Sequence, residues 1–389
     1  MQPLPLVIPV RYPIRNRELD SLRGLAALSV LFYHVLALNW LPLQNGINLE
    51  PADRQIYNIL IFSPVHVAWL GAEAVWFFFV LSGFALTKAA TKPGFSWSAY
   101  FPSRMLRLYG PVLFAILFAW LTYVLVPHVA EPGDNMAITT LPTSYEWVDI
   151  VRDATLLGGT SGSIGVLWSL QWEVVFSLLL PVYLYLVRRH PGWATVVAIV
   201  GCWIGWSVNN QLLSYMPMFF FGALLAQYWE QILRCFSFLK RGGWAGHTAG
   251  AILVVVSICG MTSFFLLGRW LVGMDIDPRL ATMPLVLAGI MLLTVTSVQW
   301  RPLSRVLYLR VMVFLGTISF SLYLVHRPIM IAMGFATGVG AVPAALTVLV
   351  SLAVAVGFYY AFERPIHRLA RRLNNSIQRR DAAEAVAAN

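Results

Sequence analysis

The sequence predicts an all-α protein, a polytopic transmembrane bundle of about ten helical spans with both termini in the cytoplasm. Three observations carry that reading. The chain is 59% hydrophobic and 11% charged, with a mean hydropathy of +0.71, a composition foreign to soluble globular domains. Its apolar stretches recur at about 20 residues, the helical length that crosses a bilayer core. Of its 27 Lys and Arg residues, 22 fall in segments that successive spans return to one side. Four (Arg54, Arg152, Arg269, Arg279) fall on the other side and Arg327 lies within a span, so the richer side is assigned to the cytoplasm.

In chain order, residues 1–16 form a Pro-rich cytoplasmic segment without a small-residue cleavage site, so the first apolar stretch is expected to remain as a helix. The spans are expected at 18–40, 66–88, 105–127, 167–187, 193–209, 211–229, 247–268, 280–298, 311–334 and 341–362. Residues 17–366 thus make one transmembrane domain. The longest connection, 128–166, is external and mildly acidic (Glu131, Asp134, Glu146, Asp149, Asp153), and its GGTSGSIG run reads as mobile. The basic cytoplasmic tail, 367–389, is expected to be disordered. No internal repeat is evident. Cys202, Cys235 and Cys259 are scattered, with neither metal spacing nor a disulfide framework, and no metal site is expected. The net charge of +10 lies in short loops between spans, which excludes a nucleic-acid partner and leaves the lipid bilayer.

Ionisable groups inside spans are few, chiefly His34, Glu73, Glu173, His326 and Arg327, and such groups are costly enough in a membrane to suggest function. Counted from the span ends at 1.5 Å per residue, His34, Glu73, Glu173 and His326 all fall in the external half of the bilayer. Arg327 is read as structural, snorkelling outward. Arg23 and His34 stand eleven residues apart on the first span, nearly on one helix face and roughly 16 Å apart along its axis. A cation near one surface with a base far below it describes a site for a long, anionic substrate. Arg104 and Arg107, at i and i+3 by the mouth of the third span, share a face that could chelate phosphates. Trp168 and Trp172 are placed near the external interface, where an indole also stacks on a sugar ring.

Taken together these pieces resemble the bacterial acyltransferase family three, integral-membrane enzymes that O-acylate sugars and related acceptors. The resemblance runs from about Arg17 to Ile366. The family's Arg-x10-His signature is matched by Arg23 and His34, and its FFxLSGF by GAEAVWFFFVLSGF. Its Arg-x-x-Arg-x-x-Pro element is similar to RMLRLYGP through Arg104, Arg107 and Pro111. The Trp-Ser/Thr-Leu-x-x-Glu element is matched by Trp168, Ser169 and Glu173, and the SYSLYLxHxP stretch by Ser321, Tyr323, His326 and Pro328, with Phe320 in place of the usual Tyr. FERPIHRL resembles the closing Glu-Arg/Lys-Pro. No hydrolase-like domain follows the last span, as in the stand-alone branch.

The resemblance implies a multi-pass enzyme of the bacterial inner membrane with no permanently bound cofactor. Acyl-CoA, expected to be acetyl-CoA, would be the donor substrate, held by Arg23, Arg104 and Arg107. His34 would be the general base on an acceptor hydroxyl, with attack direct or through an acyl-enzyme. Glu173 would orient His34 or bind the acceptor, His326 would donate to the oxyanion, and Glu73, Trp168 and Trp172 would contact the acceptor. That acceptor is expected to be a carbohydrate or lipid-linked glycan, supplied by glycan-biosynthesis partners. The alternative is a transporter or flippase for such a glycan, which the lack of repeated halves disfavours.

Overall fold

A computed structural model describes residues 16–130, 135–156, 159–240 and 242–387, so the 1–16 segment and the acidic Glu131 and Asp134 lie almost wholly outside it. The described residues fold into helices α1 (Arg17–Asn39), α2 (Leu41–Ile47), α3 (Gln55–Ile61), α4 (Ala72–Ala90), α5 (Trp97–Leu125), α6 (Met136–Thr139), α7 (Trp147–Thr155), α8 (Leu167–Arg189) and α9 (Pro191–Ser207). They continue with α10 (Gln211–Gln227), α11 (Trp229–Cys235), α12 (Gly243–Met261), α13 (Ser263–Gly273), α14 (Pro278–Gln299), α15 (Arg301–Leu307), α16 (Arg310–Thr337), α17 (Ala341–Phe358) and α18 (Arg364–Ala387). Eight helices are long and apolar enough to cross a membrane: α1, α4, α5, α8, α12, α14, α16 and the continuous rod begun by α17. The two remaining expected spans are the 17-residue helices α9 and α10, joined by a tight turn with Asn209 at φ 53°. Large apolar side chains stand exposed along the outer faces of α5 (Leu117, Leu121, Val124), α9 (Val196, Val200, Trp203) and α17 (Val342, Leu349). On a soluble protein that surface would be a liability; against lipid it is the solvated state.

The most deeply buried helix is α16, enclosed almost without interruption from Ser321 to Ile331. α1 lies along it at very close range, because Gly24 abuts the backbone at Leu315–Gly316 and Gly316 abuts the carbonyl of Asp20. A β-carbon at either glycine would collide with backbone, so the missing side chains set the distance between the two helices. That contact lays the Arg23–His34 face of α1 beside the Ser319–His326 stretch of α16. Gly83 of α4 and Gly222 of α10 make a second reciprocal contact of the same kind.

The expected elements require four corrections. The span at 66–88 is broken: Pro64–Trp69 is a short 3-10 turn, and α4 begins only at Ala72. Ser29 on α1 receives a 2.7 Å bond from the Leu70 amide, and the Tyr33 ring occupies the space a side chain at Gly71 would need, so the chain is pinned and bent there. The third span starts at Trp97, eight residues before 105, capped by the Ser96 hydroxyl. The seventh divides at Thr262 into α12 and α13. The tail, expected to be disordered, is helical: one π-helical turn, Tyr359–Glu363, continues the rod into α18, which docks on α5. There Asn374 donates to the Ala99 carbonyl and the Ser103 hydroxyl (3.3 and 3.2 Å), and Asp381 receives hydrogen bonds from Ser96 and Ser98 at the α5 N-terminus, where a carboxylate is favoured.

In the long connection the Gly/Ser run is anchored where it is described. Fully buried Asp153 on α7 accepts from the Ser161 amide and hydroxyl (both 2.6 Å) and from the Tyr145 hydroxyl (2.9 Å), and Ser163 bonds Tyr123 at 2.8 Å. Burial, outweighing these three donors, holds the Asp153 carboxyl above its ordinary value.

Candidate active site

At the bundle end where α1 begins, α1, α5, α8, α16 and the α17–α18 junction enclose a cavity of about 380 Å³. Arg23, Arg104, Arg107, Arg364 and Arg371 face it together with Asp20, Glu173 and Glu363, so cationic groups outnumber carboxylates. Because α5 starts early, Arg104 and Arg107 lie two to three turns inside the helix and not at its mouth, and a long guanidinium side chain reaches further still.

That displacement explains the position of Glu173. Its carboxylate meets Arg104 at 2.6 Å and accepts from the Ser82 hydroxyl at 2.7 Å, while Arg104 Nε donates to Ser177 Oγ at 3.1 Å. Ser177 in turn donates to the Glu173 carbonyl at 2.6 Å. Glu173 therefore belongs to the wall of the arginine cavity, and its expected role of orienting His34 is corrected: neither hydrogen bond of His34 goes to it. The Nε of Arg23 is buried without a partner. Glu363 accepts from the Ser321 amide (3.0 Å) and hydroxyl, tying the π-helical turn to α16, and sits 3.7 Å from His367. Sequence reasoning read the Glu363 motif but assigned this buried carboxylate no place in the site. Its signal was an acidic residue closing an apolar span.

A narrow second space of about 40 Å³ leads inward from the cavity, sharing Arg23, Glu173, Ser319 and Phe320 with it and ending at Tyr323. Tyr323 pairs with Ser169 at 2.8 Å, and its ring centroid is 6.0 Å from that of His326.

Beyond it the two expected histidines meet. His326 Nε2 and His34 Nδ1 are 3.1 Å apart. His326 Nδ1 is 3.0 Å from the Leu322 carbonyl, and His34 Nδ1 is 3.0 Å from the Val30 carbonyl. A carbonyl only accepts, so His326 carries its proton on Nδ1 and offers a lone pair at Nε2. His34 then carries its proton on Nδ1, shared between Val30 and His326, and its Nε2 is unprotonated, with no hydrogen bond among the described residues. A neutral imidazole held this way, with one ring nitrogen free, is an arrangement suited to a general base. His326 stands behind it with both ring nitrogens engaged, so in this arrangement it has no free N–H to offer the oxyanion expected of it.

The remaining expected contacts lie elsewhere. Trp168 and Trp172 pack around Tyr215, with Phe79 against Trp168, in an aromatic cluster between α4, α8 and α10. They are packing side chains and not open interfacial indoles. Glu73 is buried in the first turn of α4. No group of three or more metal-ligating side chains occurs among the described residues.

A family profile described as an acyltransferase domain matches residues 16–364, most of the chain and all of the site except His367 and Arg371. The chain belongs to acyltransferase family 3. Among its relatives, the acyltransferase MdmB of Streptomyces mycarofaciens is 25% identical over 342 residues, covering 80% of this chain and 78% of the relative. Nodulation protein 10 of Rhizobium leguminosarum bv. viciae is 27% identical over 286 residues, covering 64% of this chain and 72% of the relative. No solved structure gives a significant match. This family 3 acyltransferase is thus a multi-pass membrane enzyme that moves acyl groups, and the transporter alternative has no supporting observation.

Proposed function

We propose that this acyltransferase moves an acyl group, acetyl in the simplest case, from cytoplasmic acyl-CoA to a hydroxyl of a carbohydrate or lipid-linked glycan on the far side of the bacterial inner membrane. One observation carries the reading: an arginine-lined cavity at one end of the bundle shares its wall with a narrow inner space lined by Tyr323, whose ring lies 6.0 Å from that of His326, the partner of His34.

Coenzyme A is polyanionic at its nucleotide end and carries the thioester on a long, flexible arm. Arg23 and Arg107 face the cavity with their charge free to meet phosphates, and Arg104 is shared with Glu173. The arm follows α1 past Ser319 and Tyr323, and the roughly 16 Å between Arg23 and His34 is a span such an arm covers. Tyr323, paired with Ser169, lines the narrow inner space and lies next to His326, so a donor arm that reaches His34 displaces Tyr323 from Ser169. At the far end His34 Nε2 takes the proton of the acceptor hydroxyl as its oxygen attacks the thioester carbonyl carbon. His326 Nε2 receives the hydrogen bond from His34 Nδ1 and steadies the imidazolium. Collapse of the tetrahedral intermediate breaks the C–S bond, and the departing thiolate takes the proton from His34, leaving the ester, free coenzyme A and the starting enzyme.

The test is incubation of purified protein in nanodiscs with labelled acetyl-CoA, following binding, thiol release and transfer. Saturable binding that Arg23→Gln weakens, with thiol release that His34→Ala abolishes, is the expected result. Absence of binding by the intact protein overturns the proposal.

A further inference from the structure

The last helix, α18, carries one polar seam. Arg364, His367, Arg371, Asn374, Gln378 and Asp381 follow one another at alternating steps of three and four residues, which keeps them on a single helix face. The far half of that face is a latch. Asn374 donates to the Ala99 carbonyl and the Ser103 hydroxyl (3.3 and 3.2 Å), Gln378 donates to the Gly94 carbonyl (3.4 Å), and Asp381 accepts from Ser96 and Ser98. At the near end, the Ile366 side chain fills the space a side chain at Gly110 would need. Contacts at Gly110, Ser103, Ala99 and Gly94 in turn set α18 antiparallel to α5. The near half of the seam is thereby held against the arginine cavity, which Arg364, His367 and Arg371 all line. The family profile ends at residue 364, so His367 and Arg371 lie past it.

The seam differs from the ordinary basic trim of a cytoplasmic helix. Arg368 and Arg372 are such trim: both are exposed, off the seam and not part of the cavity wall. Arg371 is in no ion pair among the described residues, whereas Arg104 is committed to Glu173 and Arg364 lies over the Tyr360 ring at 5.5 Å. Arg23, Glu173, Ser319 and Phe320 also line the inner space and so mark the deep end of the cavity. Arg371, two turns past Glu363 on a helix that leads away from that end, belongs to the mouth. A coenzyme A thioester that points inward presents its charges in a fixed order. The diphosphate follows the flexible arm, and the lone phosphate on the ribose comes last. The deep guanidiniums therefore meet the diphosphate, and the mouth meets the ribose phosphate. A planar guanidinium offers paired N–H donors to two oxygens of such a group. We infer that α18 completes the donor site and that Arg371 binds the ribose phosphate of coenzyme A, which makes the enzyme selective against dephospho-coenzyme A. This assignment rests on the donor reading above. His367, one turn before Arg371 and 3.7 Å from Glu363, forms the wall beside it.

The experiment titrates purified full-length protein in nanodiscs with coenzyme A and with dephospho-coenzyme A at one ionic strength. The intact protein is expected to bind coenzyme A about tenfold or more tightly, the gain typical of one charge-assisted hydrogen bond. Arg371→Gln should weaken coenzyme A binding about tenfold and leave dephospho-coenzyme A binding unchanged, which also reports that the variant folds. Arg371→Lys, which keeps the charge without the planar fork, retains part of the preference. Arg372→Gln removes the same charge one residue away and should leave both affinities unchanged. Equal binding of the two ligands by the intact protein overturns the subsite, as does an Arg371→Gln variant that weakens both alike or binds neither. Loss of the preference in Arg372→Gln overturns it as well, since general attraction by the basic helix then accounts for the selectivity. An intact protein that binds neither ligand overturns the donor reading itself, a result distinct from equal binding of both.

Discussion

The arginine cavity and the histidine side of the same path are polar regions of one bundle, built to opposite rules. In the cavity the carboxylates are committed: Glu173 to Arg104 and Ser82, Glu363 to Ser321. Beyond the constriction the two histidines hold each other, and the buried Nε of Arg327 has no hydrogen-bond partner among the described residues. A region that receives a highly charged ligand from water needs an electrostatic frame fixed beforehand, so that binding does not require its wall to rearrange. On the proposed reading, the side where a proton moves needs a free lone pair, which His34 Nε2 supplies. The contrast separates positioning from chemistry along about 16 Å of one helix.

The contrast can be broken at several points. The largest effect belongs to the reactive end. His34→Ala is expected to lower acyl transfer about a hundredfold or more with unchanged abundance in the membrane, measured with labelled acetyl-CoA. His326→Gln, whose amide oxygen can replace the ring acceptor, should cost less than His326→Ala. If His34→Ala retained full transfer, the reactive end would lie elsewhere.

At the committed end the expected effect is on stability. Arg104→Ala leaves the partly buried Glu173 without its cation, at a cost of about 3 kcal/mol, the low end for a broken buried pair, read as a lowered unfolding midpoint in detergent. Adding Glu173→Gln should recover much of that loss. Two independent, additive losses would show that the network is no network.

A third test concerns the scaffold of the reactive side. In the turn before α4, His66 is fully buried, stacked on Phe265 at 3.5 Å, and donates to the Ile61 carbonyl at 2.8 Å. Burial pushes its ring down to about 4 from an ordinary 6.5. The unfolded chain therefore binds the extra proton first. The contribution of this site to stability is complete above pH 6.5, is lost as pH falls towards about 4, and is constant below, a change of about 3 kcal/mol. Unfolding midpoints measured across that window should slope accordingly, and His66→Phe should flatten the slope.

The smallest effect is expected at Arg23. Among the described residues it is in no ion pair, so Arg23→Gln should leave stability unchanged and weaken acetyl-CoA binding about tenfold, in a salt-dependent manner. A stability loss as large as that of Arg104→Ala would place Arg23 among the committed groups and erase the distinction.

Much of this was legible in the chain. The all-helical character and the membrane setting follow from composition and period, because a lipid-embedded backbone must satisfy itself within each segment. Arg23, His34, Arg104, Arg107 and His326 were also legible, since ionisable groups are rare in such helices and stand out by type alone. What the sequence could not give was partnership. Whether Glu173 faced His34 or Arg104 depended on where α5 begins and on how far a guanidinium reaches. Whether Trp168 met a sugar or Tyr215 depended on the rotation of α8 against α10. The meeting of His34 with His326, 292 residues away, depended on two glycines that let α1 and α16 touch. Local composition determined which residues lie in the membrane, because burial in lipid acts on each segment separately. Tertiary packing alone decided which of them are spent on each other and which are left free, because a hydrogen bond requires contact within about 3 Å and only the folded bundle sets distances that short.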